Sequence, residues 1–557
     1  MYRTHYVIVG GGPAGFVLAE RLSRDSTKSI VLLEAGPDTS THELVETPGD
    51  AFSITDLWTY STEPEPNLGG RNAVVFQGKA LGGGSAVNDM LYCRGSASVF
   101  DDWAEISGNR ELGWDDGMFQ AFKDTSYWDD EASINYTQPI NTTSFGTGPL
   151  AISRQRELIE FDVPFFNKLQ SELGLPAIDF SSGQSIGVTQ GINTIRASNR
   201  TRSYAYNTFG WIANSRPNFR LIHDAEVSKI NFEGNVATGV TYTYNGTPSN
   251  NQTYTNNTYT ISAPEVVIAA GAIKSPQLLM LSGVGPKEHL QSLGIEVVLD
   301  SPEVGQNLAD HYLAPMQWEA APSVGTLWQS HSNATRAAIE EARYASDGSG
   351  LLGTVNGDVM AALRVPDSVF DGIDGSFYIN QPADRPHLIY EYSTANSIVA
   401  TGSAITAFVA VVQPEGKGNV SLASADYRDA PVIHANYYGS EADRAAILYG
   451  VRQLRAIVDS PELSGLTVAA LSPAADVQTD EELWASIQST SGSFSHQMGT
   501  VALGTVLDAN WRVKGLEGLR VIGSSAAPTI TTCQTQGSAY ALGHRAALDI
   551  VAADGLQ

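Results

Sequence analysis

The chain has 557 residues, 42% of them hydrophobic, enough for several domains and a large core. Against 33 Lys and Arg stand 60 Asp and Glu, and the resulting charge of −27 repels nucleic acid and anionic lipid, so neither is an expected partner. No apolar run approaches the roughly 20 residues of a membrane helix, and two cysteines, Cys93 and Cys533, exclude a disulfide framework and a zinc cluster; no metal centre is expected.

The first predicted elements form one unit. In YVIVGGGPAGFVLAERLS an apolar strand, Tyr6 to Val9, leads into Gly10, Gly12 and Gly15 and then a helix with Leu18, Ala19 and Leu22 inward. This is G-x-G-x-x-G in the context its chemistry requires: the glycines permit a tight turn and close approach of a pyrophosphate, whose charge the helix N-terminus stabilises. The next strand, SIVLLEAG, ends in Glu34, placed to accept hydrogen bonds from an adenosine ribose. The fingerprint alone does not separate FAD from NAD.

Next comes GKALGGGSAVNDMLYCRGS, residues 78 to 96, which reads either as a flexible surface loop or as backbone approaching a cofactor, with Ser85 and Asn88 supplying neutral hydrogen bonds. Residues 245 to 258, rich in Asn and Thr, read as a surface hairpin. EVVIAAGAIKSPQLLMLSGVG reads as a buried strand, a turn through Gly271, and a helix that starts after Ser275 and Pro276 and stops at Gly283. Alternating stretches such as AITAFVAVVQP and GNVSLAS read as strands of a second sheet. Near the C-terminus, TTCQTQGSAYALG sets polar side chains directly before a helix, where Gln534 either caps the helix or belongs to the wall of a site.

Together these segments resemble the glucose-methanol-choline (GMC) oxidoreductases, a family of FAD enzymes. GKALGGGSAVNDMLY and GAIKSPQLLMLSGVG match the two family signatures. RSYAY (202–206), VGQNLADH (304–311), SHQMGTVAL, GLRVIGSSAAP and TTCQTQGSAYALG follow in the family's order across the whole chain. The chain is most similar to the aryl-alcohol oxidase and glucose oxidase branch. The resemblance implies an α/β (α+β) fold: a Rossmann-like FAD-binding domain from 1–154, 221–311 and 491–557, interleaved with a substrate domain from 155–220 and 312–490, built on an antiparallel sheet flanked by helices.

It further implies FAD contacts from Gly10, Gly12, Pro13, Ala14, Gly15, Glu34, Ala35, Lys79, Gly82, Gly83, Ser85, Asn88, Leu91, Val227, Ala270, Ser524, Thr535 and Gln536. His496 matches the family's catalytic base, which takes a hydroxyl proton while hydride passes from the carbinol carbon to flavin N5. Gln534 stands where relatives carry a second catalytic His or Asn; an amide orients a substrate oxygen but exchanges no proton near neutral pH. The expected activity is oxidation of an aromatic or hydrophobic alcohol by a monomer, with oxygen or a quinone-like compound as electron acceptor. A lyase or cyclase without net redox chemistry, and a flavin-binding protein that has lost catalysis, are the alternatives.

Departures from the family pattern add further expectations. Ile522-Gly523-Ser524-Ser525 lacks the acid of the relatives' Val-Asp-Ala-Ser, and Val87 and Asn88 replace the His that tethers flavin in covalent members, so non-covalent FAD is expected. Cys93 and Cys533 are expected to be inert buried fillers, with a disulfide or a redox pair as the other possibilities. Asp89 either faces the substrate or is a solvated carboxylate. Eight N-x-S/T sequons, at Asn135, Asn141, Asn199, Asn245, Asn251, Asn256, Asn333 and Asn419, suggest a secreted glycoprotein whose signal peptide is absent from this sequence.

Overall fold

The structure is a computed structural model describing residues 2–129, 140–245, 258–396, 398–399 and 402–555. The sequons at Asn135, Asn251 and Asn256 lie outside the described residues.

Five strands form a parallel sheet in the spatial order Phe219–Ile222, Ile30–Leu33, Tyr6–Val9, Glu265–Ile268 and Leu519–Val521. Tyr6–Val9 and Ile30–Leu33 are buried at every residue, which is why both read as unbroken apolar runs. Helix Pro13–Leu22 follows the first strand, with Pro at its start where no N–H is needed. It packs against the last helix, Gln536–Asp554, so the two ends of the chain share one core. Phe219–Ile222, together with Tyr206 and Phe209 just before it, belongs to this core. The apolar residues at the C-terminal end of segment 155–220 are thus buried against Pro13–Leu22.

A second sheet is antiparallel, in the order Thr467–Ser472, Tyr312–Ala320, Ala404–Val411, Leu388–Ser393, Val359–Leu363 and Gly187–Gln190, with Gly492–Ser493 pairing alongside Tyr312–Ala320. Alternation divides its side chains. Ile405, Ala407, Val409, Val411 and Tyr390 point into a core shared with helix Glu441–Val458. On the opposite face the register sets Met360, Glu391, Phe408 and Pro315 in one row across four strands, beside the pair Ser393 and Thr406.

Two local expectations are corrected. The helix expected after Pro276 spans Gly271–Leu281 and contains the proline. Pro276 has no N–H to give the Ala272 carbonyl four residues back, and the Thr500 hydroxyl donates to that carbonyl instead, at 2.6 Å. GNVSLAS does not join the antiparallel sheet: Asn419–Ser421 pairs only with Val432–His434, and Val420 and Ile433 pack with Ile273, Tyr60 and Leu308. A three-residue strand carries too little pattern to choose its sheet. The expected surface hairpin at 245–258 lies outside the described residues over 246–257; the strands that flank it, Val236–Tyr244 and Thr258–Ser262, pair antiparallel.

Candidate active site

A cavity of about 710 Å³ opens where the parallel strands end, with Val9, Leu33 and Ile522 on one side and Leu313, Pro315 and Phe408 of the antiparallel sheet on the other. The crevice beyond the carboxyl ends of parallel strands is the usual ligand position in such sheets. Of the residues expected to contact FAD, Gly10, Gly12, Pro13, Ala14, Glu34, Ala35, Gly83, Ser85, Asn88, Leu91, Val227, Ala270, Ser524, Thr535 and Gln536 line this cavity.

Gly15, Lys79 and Gly82 do not line it. A Cβ on Gly15 would lie 1.9 Å from the Gly10 carbonyl oxygen, so this glycine lets the helix sit on the strand–helix turn. Gly82 has φ +104° and faces the Tyr204 ring. The Lys79 ammonium lies over the Trp58 ring, 4.1 Å from its centroid.

The donor set suits a dinucleotide. Helix Pro13–Leu22 has no side-chain cap at Gly12, so its first N–H groups are available for a pyrophosphate. Gly83 comes so close to Gly12 that a Cβ there would lie 2.8 Å from the Gly12 Cα, and a larger residue would close the cradle. Glu34 is buried; its carboxylate accepts the Gly11 and Gly36 N–H groups at 2.7 and 2.8 Å while lining the cavity, and burial pushes its pKa up to about 7. Gln536 donates to the Leu91 carbonyl and keeps its own amide oxygen buried without a partner.

Ser85 also braces the glycine segment: its hydroxyl donates to the Gly82 carbonyl and accepts the Ala205 N–H. Asn88 accepts from the Met90 N–H and the Arg202 guanidinium through its oxygen, leaving its amide N–H groups for a ligand. The missing acid at position 523 has a steric explanation: Gly523 has φ +97°, and a Cβ there would lie 3.1 Å from the Ala14 Cβ. Both features disfavour any side chain.

His496 sits at the cavity wall, stacked on Phe494 with ring centroids 4.6 Å apart. Its Nδ1 is 2.9 Å from Nδ1 of His311, whose Nε2 is 2.8 Å from the Thr531 carbonyl oxygen. These contacts fix every proton in the pair. A carbonyl only accepts, so His311 Nε2 carries hydrogen; burial holds the His311 pKa down at about 4, so its Nδ1 is a lone pair. His496 must therefore donate through Nδ1, which leaves its Nε2 lone pair free to accept a proton. Burial, and next the neighbouring His311, hold the His496 pKa well below the usual imidazole value of about 6.5.

Asp310 fixes the backbone of this loop. It accepts the His496 N–H at 2.9 Å, the Tyr437 hydroxyl at 3.0 Å and the Gln497 amide at 3.1 Å. The sequence marked VGQNLADH only as a family segment; that its Asp310 and His311 orient the base depends on a contact across 185 positions. His311→Leu removes the acceptor that sets the His496 tautomer and is expected to slow flavin reduction about 10- to 100-fold with flavin absorbance unchanged. Anaerobic stopped-flow absorbance measures this, and an unaltered rate would remove His311 from the relay.

Gln534 is buried at the same cavity and does not cap the last helix, whose N-cap, Thr535, makes no side-chain capping bond. Its amide N–H donates to Glu391, and burial pushes the Glu391 pKa up to about 8. Behind it Cys93 and Cys533 form a disulfide, which corrects the expectation of inert fillers. Two cysteines 440 positions apart show no pairing signal in sequence; their Cα atoms come within 6.3 Å only because the first signature and the terminal segment are folded side by side. Cys93 Sγ lies 3.0 Å from the Gln534 amide oxygen, and as a disulfide sulfur it offers that oxygen no proton. Asp89 also lines the cavity, with one buried carboxylate oxygen unpartnered and its pKa pushed by burial up to about 7.

Comparison with known proteins matches this chain to the GMC oxidoreductase family models, the N-terminal one over residues 4–313 and the C-terminal one over 414–543. The oxygen-dependent choline dehydrogenase of Brucella anthropi is 34% identical, over 97% of this chain and 94% of that protein. Among solved structures, an FAD-dependent oxidoreductase from Chaetomium thermophilum superposes with TM-score 0.88 at 26% identity, covering 100% of both chains. A fungal aryl-alcohol oxidase superposes with TM-score 0.83 at 25% identity, covering 99% of each.

Proposed function

The chain belongs to the GMC oxidoreductase family, and on that premise we propose that it oxidises an aromatic or otherwise hydrophobic alcohol with His496 as the base and oxygen or a quinone-like compound as the final acceptor. It is a GMC-family FAD oxidoreductase of the kind that acts on alcohols.

The observation that carries the proposal is the His496–His311–Thr531 relay, which turns a bare Nε2 lone pair toward a cavity floored by Phe408, Pro315 and Leu313. Gly10, Gly12, Gly83, Glu34 and Gln536 would hold FAD, which when bound supplies the two-electron acceptor for the carbinol hydride. His496 accepts the hydroxyl proton at Nε2, and the His311 lone pair keeps the N–H on the far side of the ring. Phe494 and Phe408, 5.4 Å apart, keep the reacting carbinol in an apolar setting. Gln534, whose amide nitrogen also lies 3.9 Å from Met360 Sδ, turns an N–H from that weak acceptor to the substrate oxygen while Glu391 and the disulfide hold its amide in place.

Three further readings go with this proposal. FAD is dissociable, since Val87 and Asn88 stand at the cavity wall where covalent relatives have their attachment His. Residues 1–154, 221–311 and 491–557 form the cofactor half, extended to take in 206–220, and the remaining segments form the substrate half. The protein works as a secreted, N-glycosylated monomer. Exposed sequon asparagines at 141, 199 and 333 support secretion, as does a disulfide, which persists in oxidising compartments.

The test is the anaerobic absorbance spectrum of the FAD-loaded protein as aryl alcohols, sugars, hydroxylated polycyclic alcohols and cyanohydrins are added. Bleaching near 450 nm by an aryl alcohol is the expected result. Turnover with the flavin still oxidised, in protein that dithionite can bleach, would replace alcohol oxidation by lyase chemistry.

A further inference from the structure

We propose that Glu391 determines specificity: together with Gln534 it recognises a second oxygen function on the substrate, close to the reacting carbinol, so that an oxygenated alcohol is preferred over its hydrocarbon isostere. This rests on the alcohol-oxidation reading of the cavity and extends it to the substrate's substituents.

The antiparallel sheet presents a row with one ionisable group. In the row Met360, Glu391, Phe408 and Pro315, the other three side chains offer no hydrogen-bonding proton. In the neighbouring row, Thr406 donates its proton to the Ala395 carbonyl at 2.7 Å, and the Ser393 hydroxyl is held by the Ala395 N–H at 3.0 Å. Glu391 is 7% exposed and lines the cavity. One of its oxygens accepts the Gln534 amide, and the other has no hydrogen-bonding partner among the described residues. A buried carboxyl with an oxygen left over costs free energy unless a ligand group completes it.

The position of Gln534 places this spare oxygen near the reaction. Gln534 follows Cys533 directly and its amide is wedged between the disulfide sulfur and Glu391. A substrate whose carbinol lies between His496 and Gln534 therefore brings an adjacent substituent, not a remote one, against Glu391. Phe408 lies directly opposite Glu391 on the next strand and supplies the apolar contact for the ring that carries both groups. With its pKa raised to about 8 by burial, the carboxyl is protonated at neutral pH and offers an O–H to an acceptor oxygen. Above about 8 it becomes acceptor-only, so affinity for an ether oxygen falls as pH rises.

The test uses holoenzyme and two non-oxidisable probes of matched size, 2-methoxybenzamide and 2-ethylbenzamide, titrated by calorimetry at pH 6.5 and pH 9. Wild type is expected to bind the methoxy probe about tenfold tighter than the ethyl probe at pH 6.5 and to lose most of that preference at pH 9. Asp89, which lines the same cavity with its pKa raised to about 7, also acts on Glu391; Glu391→Gln keeps a neutral donor, so it should retain at pH 9 most of the preference that wild type loses. Glu391→Met is expected to bring the ratio to within about twofold of unity, with 2-ethylbenzamide binding and flavin absorbance serving as checks on the fold. The same ordering is expected in kcat/KM for 2-methoxybenzyl and 2-ethylbenzyl alcohol. A wild type without preference, or a preference that survives Glu391→Met, overturns the proposal. If the probes behave as expected and neither alcohol bleaches the flavin, Glu391 keeps its role and the alcohol-oxidation reading fails.

Discussion

His496→Ala is expected to keep its flavin spectrum and to lose about 10²- to 10⁴-fold in the rate of anaerobic flavin reduction by an aryl alcohol, the usual contribution of a positioned general base. The effect is large because the neighbouring polar side chains do not replace the base: Gln534 is an amide, and the carboxyls of Glu391 and Asp89 are shifted by burial toward their protonated forms. The wild-type pH profile gives a second check. Burial depresses the His496 pKa, so the neutral ring persists as pH falls through about 6.5, where an ordinary imidazole would be half protonated. Flavin reduction by wild type should stay level from pH 8 down past 6.5 and decline only below that. A rate that halves near 6.5 would show an unperturbed base and contradict the relay through His311.

Replacing both cysteines, Cys93→Ser with Cys533→Ser, is expected to cost about 2–5 kcal/mol of stability, read as a lower urea midpoint. The bridge closes 440 positions, so in the unfolded chain it removes the freedom of one very long loop, and both cysteines are buried where the segment bearing Asn88 and Leu91 meets the segment bearing Gln534. Flavin reduction should slow as well, because the sulfur against the Gln534 amide oxygen is part of what holds that side chain. Titration of denatured wild-type protein should find no free thiol. One or two free thiols, or a double variant with an unchanged midpoint, would remove the bridge from the account of stability.

Much of the nucleotide half is legible from the chain alone. Strand, glycines, helix and Glu34 are contiguous, and Gly15 answers a contact made within that short stretch, the Gly10 carbonyl. Local rules mislead where a distant residue supplies what the local sequence lacks. Pro276 looked like a helix start because nothing nearby could satisfy the Ala272 carbonyl, and Thr500 does so from across the fold. The Ser85 hydroxyl oxygen likewise accepts the Ala205 N–H from 120 positions away.

The sequence by itself determined that the N-terminal segment builds a dinucleotide cradle, a property that follows from residue order, spacing and apolar runs acting over short stretches; the places of His496, Gln534 and the last segment came from the resemblance to the GMC family. Tertiary structure alone decided which histidine sets the tautomer of His496, which carboxyl faces Gln534, and whether the two cysteines join. Each depends on side chains separated by 143 to 440 positions meeting within hydrogen-bonding or bonding distance. Contacts of that kind are set by how two sheets stack around one cavity, and no local pattern encodes them.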